Sequence, residues 1–154
     1  MYTLVLILHS WIRWIALVAG FAATFAAFSD DSGPAQTGRA DRWGLALMMA
    51  LDIQMLLGLL LYLVISPTME AIRADFGAAM RDPAARFFAV EHLSMMLAAV
   101  VLTHVGRVLA RKATTTQQKR MRLSIFFGIA TLLMVIGIPW PGFRAGRPLL
   151  RPLL

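Results

Sequence analysis

His9 and Arg13 lie one helical turn apart inside the first long apolar run of the chain, His92 lies inside the third, and His104 follows it by 12 positions. Imidazoles at such places ligate metals, relay protons or hydrogen-bond between helices. An ionised side chain at the centre of a bilayer costs about 2.5–3.5 kcal/mol on insertion scales, so residues of this kind usually mark function. Asp52 and Gln54 in the second run, and Glu91 directly before His92, complete the set able to move protons or hold a polar ligand.

The elements that must position these groups are transmembrane helices. Of the 154 residues, 59% are hydrophobic, above the roughly 45–50% of a soluble domain, and the mean hydropathy is +0.71. Apolar runs at about 2–28, 43–66, 85–109 and 122–138 reach or approach the ~20 residues that span a bilayer. Only helices and closed barrels satisfy their backbone in lipid, and runs this long are helices. The expected fold class is an all-α integral membrane protein, a four-helix transmembrane bundle of residues 1–138 with both termini on one side. A basic, proline-rich tail, 139–154, follows and carries a doubled Arg-Pro-Leu-Leu. The second loop, from Pro67 to Ala84, leaves room for a short interfacial helix around Thr68 to Phe76. The first span lacks a basic leader and is too long for a signal segment, so it is expected to stay uncleaved.

The net charge of +7 sits at the ends of the apolar runs, a topology signal rather than a nucleic-acid groove. Arg39, Arg42, Arg107, Arg111, Lys112, Lys119, Arg120 and Arg122 fall on the side opposite the termini. Arg73, Arg81, Arg86, Arg144, Arg147 and Arg151 fall on the side of the termini. The heavier side is expected to be cytoplasmic, which puts the termini in the periplasm of a bacterial inner (cytoplasmic) membrane. There is no cysteine, which excludes disulfides, thiolate metal sites, iron–sulfur clusters and covalently attached haem.

Each span carries a stripe of small or polar residues at helical spacing, expected to face inward. His9, Arg13, Ala16, Gly20 and Thr24 form the first, Gly44, Met48, Asp52, Met55, Leu59, Tyr62 and Ser66 the second. His92, Met96, Ala99, Thr103 and Gly106 form the third, and Ser124, Gly128, Thr131 and Val135 the fourth, a packing seam. At about 1.5 Å per residue, His9 and His92 lie at matched depth, each roughly seven residues in from the side of the termini. Two histidines so placed are what bis-histidine ligation of a single b-type haem requires. Arg13, or Arg86 or Arg81 nearer the surface, would then pair with a propionate, and Trp14, Trp11, Phe87, Phe88 and Met96 would supply the surrounding shell. The competing interpretation makes each histidine a helix-to-helix hydrogen bonder.

His104 lacks a histidine partner and points about 120° away from His92 around the helix, so a second haem on His104 and Met48 is disfavoured, and His104 is expected to bond a backbone or loop group near Arg107 or to titrate at the interface. Asp52 or Gln54 could neutralise or hydrogen-bond Arg13 as a structural pair, or serve a proton path or quinol site. Glu91 could contact Arg13 or Arg86, or take a proton from a substrate. The ten methionines are scattered in the manner of gap fillers rather than a copper path.

His9-Ser-Trp-Ile-Arg13-Trp14, Asp52-x-Gln54-x-x-x-Gly58-x-x-x-Tyr62, Glu91-His92 with Met95-Met96, His104-x-Gly106-Arg107, and Ile138-Pro139-Trp140-Pro141 together resemble small four-span bacterial membrane proteins labelled cytochrome b-like. A more distant similarity is to four-helix cytochromes of the b561 type, from which three histidines alone are a departure. The resemblance implies a haem b protein with His9 and His92 as ligands. The expected function is electron relay between a quinol and a partner, as an electron-transfer component or membrane oxidoreductase. Two alternatives stay open: a haem-free integral subunit of a larger complex, and a small metal or proton transporter. The expected surroundings are lipid, with a quinone, a larger complex or a homo-oligomer as partners, and no nucleic acid.

Overall fold

The computed structural model describes residues 1–29 and 34–149, with side chains described throughout save 34–37. The described residues contain helices and turns and no strand. Helix α1 is Tyr2–Phe28 and α2 is Pro34–Leu60, which continues through a π turn, Leu61–Ile65. Short helices α3 (Pro67–Ala74), α4 (Phe76–Arg81) and α5 (Pro83–Arg86) follow. A second π turn, Phe87–Glu91, leads into α6, His92–Arg111, and α7 is Thr116–Gly137. Four stretches are long and apolar enough to cross a membrane: Tyr2–Phe28, Gly38–Ile65, Pro83–Arg111 and Thr116–Gly137. By length and composition the chain is a multi-pass membrane protein.

The helices run further than hydropathy alone predicts, because caps rather than apolar residues set their starts. Proline at the first position of α2 is preorganised for a helix and lacks a hydrogen that would go unpaired. Thr115 Oγ1 accepts from Gln118 N at 3.1 Å and begins α7 in what was expected to be loop. Thr115-x-x-Gln118 is the first half of a capping box. In the second loop one interfacial helix was expected and three short ones form, each opened by a cap. Ser66 Oγ accepts from Met69 N, Asp75 Oδ1 from Ala78 N and Asp82 Oδ1 from Ala84 N.

The four long helices pack in the cyclic order α1, α2, α6, α7. The core is rich in small residues: Ala16, Ala19, Ala23 and Ala27 on α1, Ala99 and Ala110 on α6. Small residues let helix backbones approach in lipid, where apolar bulk confers no preference for protein. Gly44 on α2 takes the ring of Phe127 on α7, whose Cζ lies 2.3 Å from where a Cβ would stand. Of the expected α7 seam Ser124 and Thr131 are buried while Gly128 and Val135 are half-buried, and Thr131 Oγ1 lies 3.3 Å from Thr24 Oγ1.

The inward face of α2 differs from the expected one. Ala40, Gly44, Leu47, Leu51 and Gln54 are buried, and Asp52 lies at the edge of that face. A helix apolar all round carries little information about which side meets lipid, so a rotation of part of a turn is invisible to hydropathy.

Candidate functional site: a two-histidine cavity

At one end of the bundle α1, α2, α6 and α7 line a half-open cavity of about 410 Å³, within the range of about 300–1,000 Å³ typical of ligand sites. His9 and His92 both line it, with ring centroids 6.3 Å apart and planes inclined by 69°. The expected pairing of the two histidines is therefore present in space. Met96, Phe88, Gln54, Gly58 and Arg13 also line the cavity.

His92 owes its pose to the end of α7. In a helix the carbonyl of residue i accepts from the N–H of residue i+4. Val135 and Gly137 would look to residues 139 and 141, and both are proline, with no N–H to give. The indole Nε1 of Trp140 donates to Val135 O at 2.7 Å, and His92 Nδ1 takes Gly137 O at 2.7 Å. A carbonyl only accepts, so Nδ1 carries the hydrogen and a neutral ring presents its lone pair at Nε2. This is the hydrogen bond that metal-bound histidines ordinarily make behind the metal. Met96 packs across Gly137, with its Cε 2.4 Å from where a Cβ would stand.

His9 is held from the other side. Gln54 Nε2 donates to His9 O at 2.8 Å, and Gly58 leaves room for the ring, with His9 Cε1 3.2 Å from a would-be Cβ. Among the described residues, His9 Nδ1 and Gln54 Oε1 are buried with no hydrogen-bond partner. Gln54 thus steadies the helix carrying His9 rather than serving Arg13 as one expectation had it.

The two π turns flank the cavity. Tyr62, in the first, donates its hydroxyl to Ala89 O in the second at 2.8 Å, and Arg73 Nη1 donates to Tyr62 O. A π turn shifts the backbone ladder by one residue, so carbonyls there become available to side chains, and such turns are frequent at functional sites. Phe87 and Phe88 open the second turn, with ring centroids 5.9 and 6.4 Å from that of His92.

Arg13 Nη2 donates to Leu149 O at 2.5 Å and Trp14 Nε1 to the same oxygen at 3.1 Å. The tail folds back over the bundle after a turn at Gly142, whose φ of 92° suits glycine. Arg147 N donates to Pro139 O, its guanidinium stands 5.1 Å from the Phe88 ring centre, and its side chain lines the cavity. Trp14 therefore clasps the tail and packs edge-on against Trp140. Trp11 is 41% exposed and turns away from the expected shell.

The remaining expected residues lie elsewhere. Asp52 Oδ1 is 3.3 Å from His104 Nε2, so the aspartate meets the third histidine and not Arg13. That contact gives His104 a carboxylate of α2 where a backbone or loop group near Arg107 was expected and Met48 was the lesser alternative. Glu91 Oε1 accepts from Arg86 Nε at 2.9 Å, both side chains well exposed, which engages the charge expected for a propionate. Among the described residues no group of three or more histidines and acids is gathered to hold a metal ion. Sequence reasoning passed over Gly137 and gave Arg147 no place in the site. The spacing Gly137-x-Pro139-x-Pro141 was the available signal for the first.

Comparison with protein-family models, curated proteins and solved structures returns no match to this chain.

Proposed function

We propose that this protein is a b-type cytochrome of the bacterial cytoplasmic membrane, with one haem b held between α1 and α6 by His9 and His92. The observation that carries the proposal is the His92 Nδ1–Gly137 O bond, which leaves the Nε2 lone pair for a ligand in a ring 6.3 Å from a second imidazole. Two imidazoles bound end-on to one metal place their centroids about 6 Å apart, from a metal–nitrogen bond of about 2 Å and a ring radius of about 1 Å on each side. Bound there, haem would supply a one-electron couple.

The residues of the chain do the rest. His9 and His92 ligate, Gly137 and Gln54 orient the helices and ring that carry them, and Met96, Phe88 and Val100 exclude water from the cavity. Arg147 and Arg13, both lining the cavity near the tail, provide positive charge for carboxylates. A quinol is the proposed electron donor or acceptor, with the termini on the periplasmic side.

Visible spectroscopy of the purified protein tests the proposal. A reduced spectrum with the sharp bands of a six-coordinate b haem, lost in His9→Ala and in His92→Ala and kept in His104→Ala, is expected. A colourless protein, or haem lost only in His104→Ala, contradicts it.

A further inference from the structure

The four spans are unequally covered. Of the residues in their apolar windows, 33% are buried in α1 and 39% in Thr116–Gly137, against 17% in Gly38–Ile65 and 22% in Pro83–Arg111. The spans of α2 and α6 are thus the two least covered. Ile53 and Leu56 on α2, with Leu97, Val101 and Val105 on α6, are exposed. At the junction of the two helices lie Asp52 and His104, Oδ1 to Nε2 3.3 Å, with side chains 43% and 42% exposed. Both residues belong to membrane-spanning stretches. Hydrocarbon offers no hydrogen-bond partner, so an ionisable pair half open to it calls for a covering surface.

We propose that the α2–α6 face is the interface of a homodimer whose two-fold axis runs along the membrane normal. The pair gives this face one acid and one base. A two-fold axis along the normal carries every residue to its own depth, so a second copy sets base against acid by symmetry. The contact is isologous: Asp52 of each copy approaches His104 of the other, acid to base. Val101 and Val105, one turn apart, are stiff at χ1 and lose little freedom when packed. The proposal stands apart from haem binding.

The chain lacks cysteine, so single cysteines report on each face without background. Val101→Cys probes the proposed face and Val18→Cys, exposed on α1, another one. Full-length protein in lipid vesicles at high lipid-to-protein ratio, treated with oxidant, is expected to give a disulfide-linked dimer with Val101→Cys and none with Val18→Cys. Adding Asp52→Asn or His104→Gln to Val101→Cys is expected to lower the linked fraction by about threefold, the effect of a typical hydrogen bond between membrane helices. Leu56→Cys repeats the measurement where a variant at 52 or 104 fails to fold. Equal linking at Val101→Cys and Val18→Cys overturns the proposal, as does linking unchanged by both polar substitutions. Single-molecule photobleaching that shows monomers only, or linking in native membranes to a different protein alone, overturns it too.

Discussion

His92 and His104 share one helix, three turns and a little more apart, yet they live in different chemistry. His92 is tied through Nδ1 to a carbonyl of α7 that Pro141 leaves free, and its ring borders a cavity with a second imidazole across it. His104 meets a carboxylate of α2. A carbonyl settles which nitrogen of His92 bears the hydrogen, whereas His104 makes a half-exposed polar contact at Nε2. Backbone order broken by Pro139, Pro141 and two π turns separates a cavity-lining histidine from a polar contact between helices.

Breaking the contrast at its strongest point removes an imidazole proposed to hold the haem. His9→Ala or His92→Ala is expected to eliminate haem retention, measured as the ratio of Soret to protein absorbance, while His104→Ala leaves that ratio unchanged. Gly58→Val comes next. The position of its would-be Cβ, 3.2 Å from His9 Cε1, means that added methyls must push the ring aside. Most haem is expected to be lost, with the remainder showing an altered ligand-field signature in electron paramagnetic resonance.

Pro141→Ala restores an N–H that can compete for the Gly137 carbonyl. Loss of hydrogen bonds behind a metal ligand costs about 10–100-fold in affinity, so haem release to an acceptor protein should quicken by about tenfold or more. Tyr62→Phe removes the hydroxyl that bridges the π turns to Ala89 O. A loss of about 1 kcal/mol of stability is expected in thermal unfolding, since one hydrogen bond contributes ~0.5–1.5 kcal/mol. The smallest effect belongs to the other histidine. A double-mutant cycle on Asp52 and His104 should give a coupling of about 0.6 kcal/mol, typical of polar contacts between membrane helices, with the haem spectrum untouched.

The four spans were legible because their length and apolarity admit few other structures, and the matched depth of His9 and His92 follows from counting residues. The exact inward face of α2 was not, because Leu, Met and Ile surround that helix on every side and hydropathy does not separate lipid from core. Arg13 illustrates a second limit: its acceptor, Leu149 O, lies 136 residues away on a tail whose return depends on a turn at Gly142. The capping threonine of α7 and the prolines beyond it were legible in principle. They follow from hydrogen-bond accounting at helix ends, which hydropathy plots omit.

The central claim is that His9 and His92 clasp one haem. The most direct test is the reduced-minus-oxidised visible spectrum of the purified protein, with pyridine haemochrome quantitation. The expected result is a six-coordinate b-type spectrum at one haem per chain, and a protein that purifies folded and colourless after expression with ample haem would contradict it.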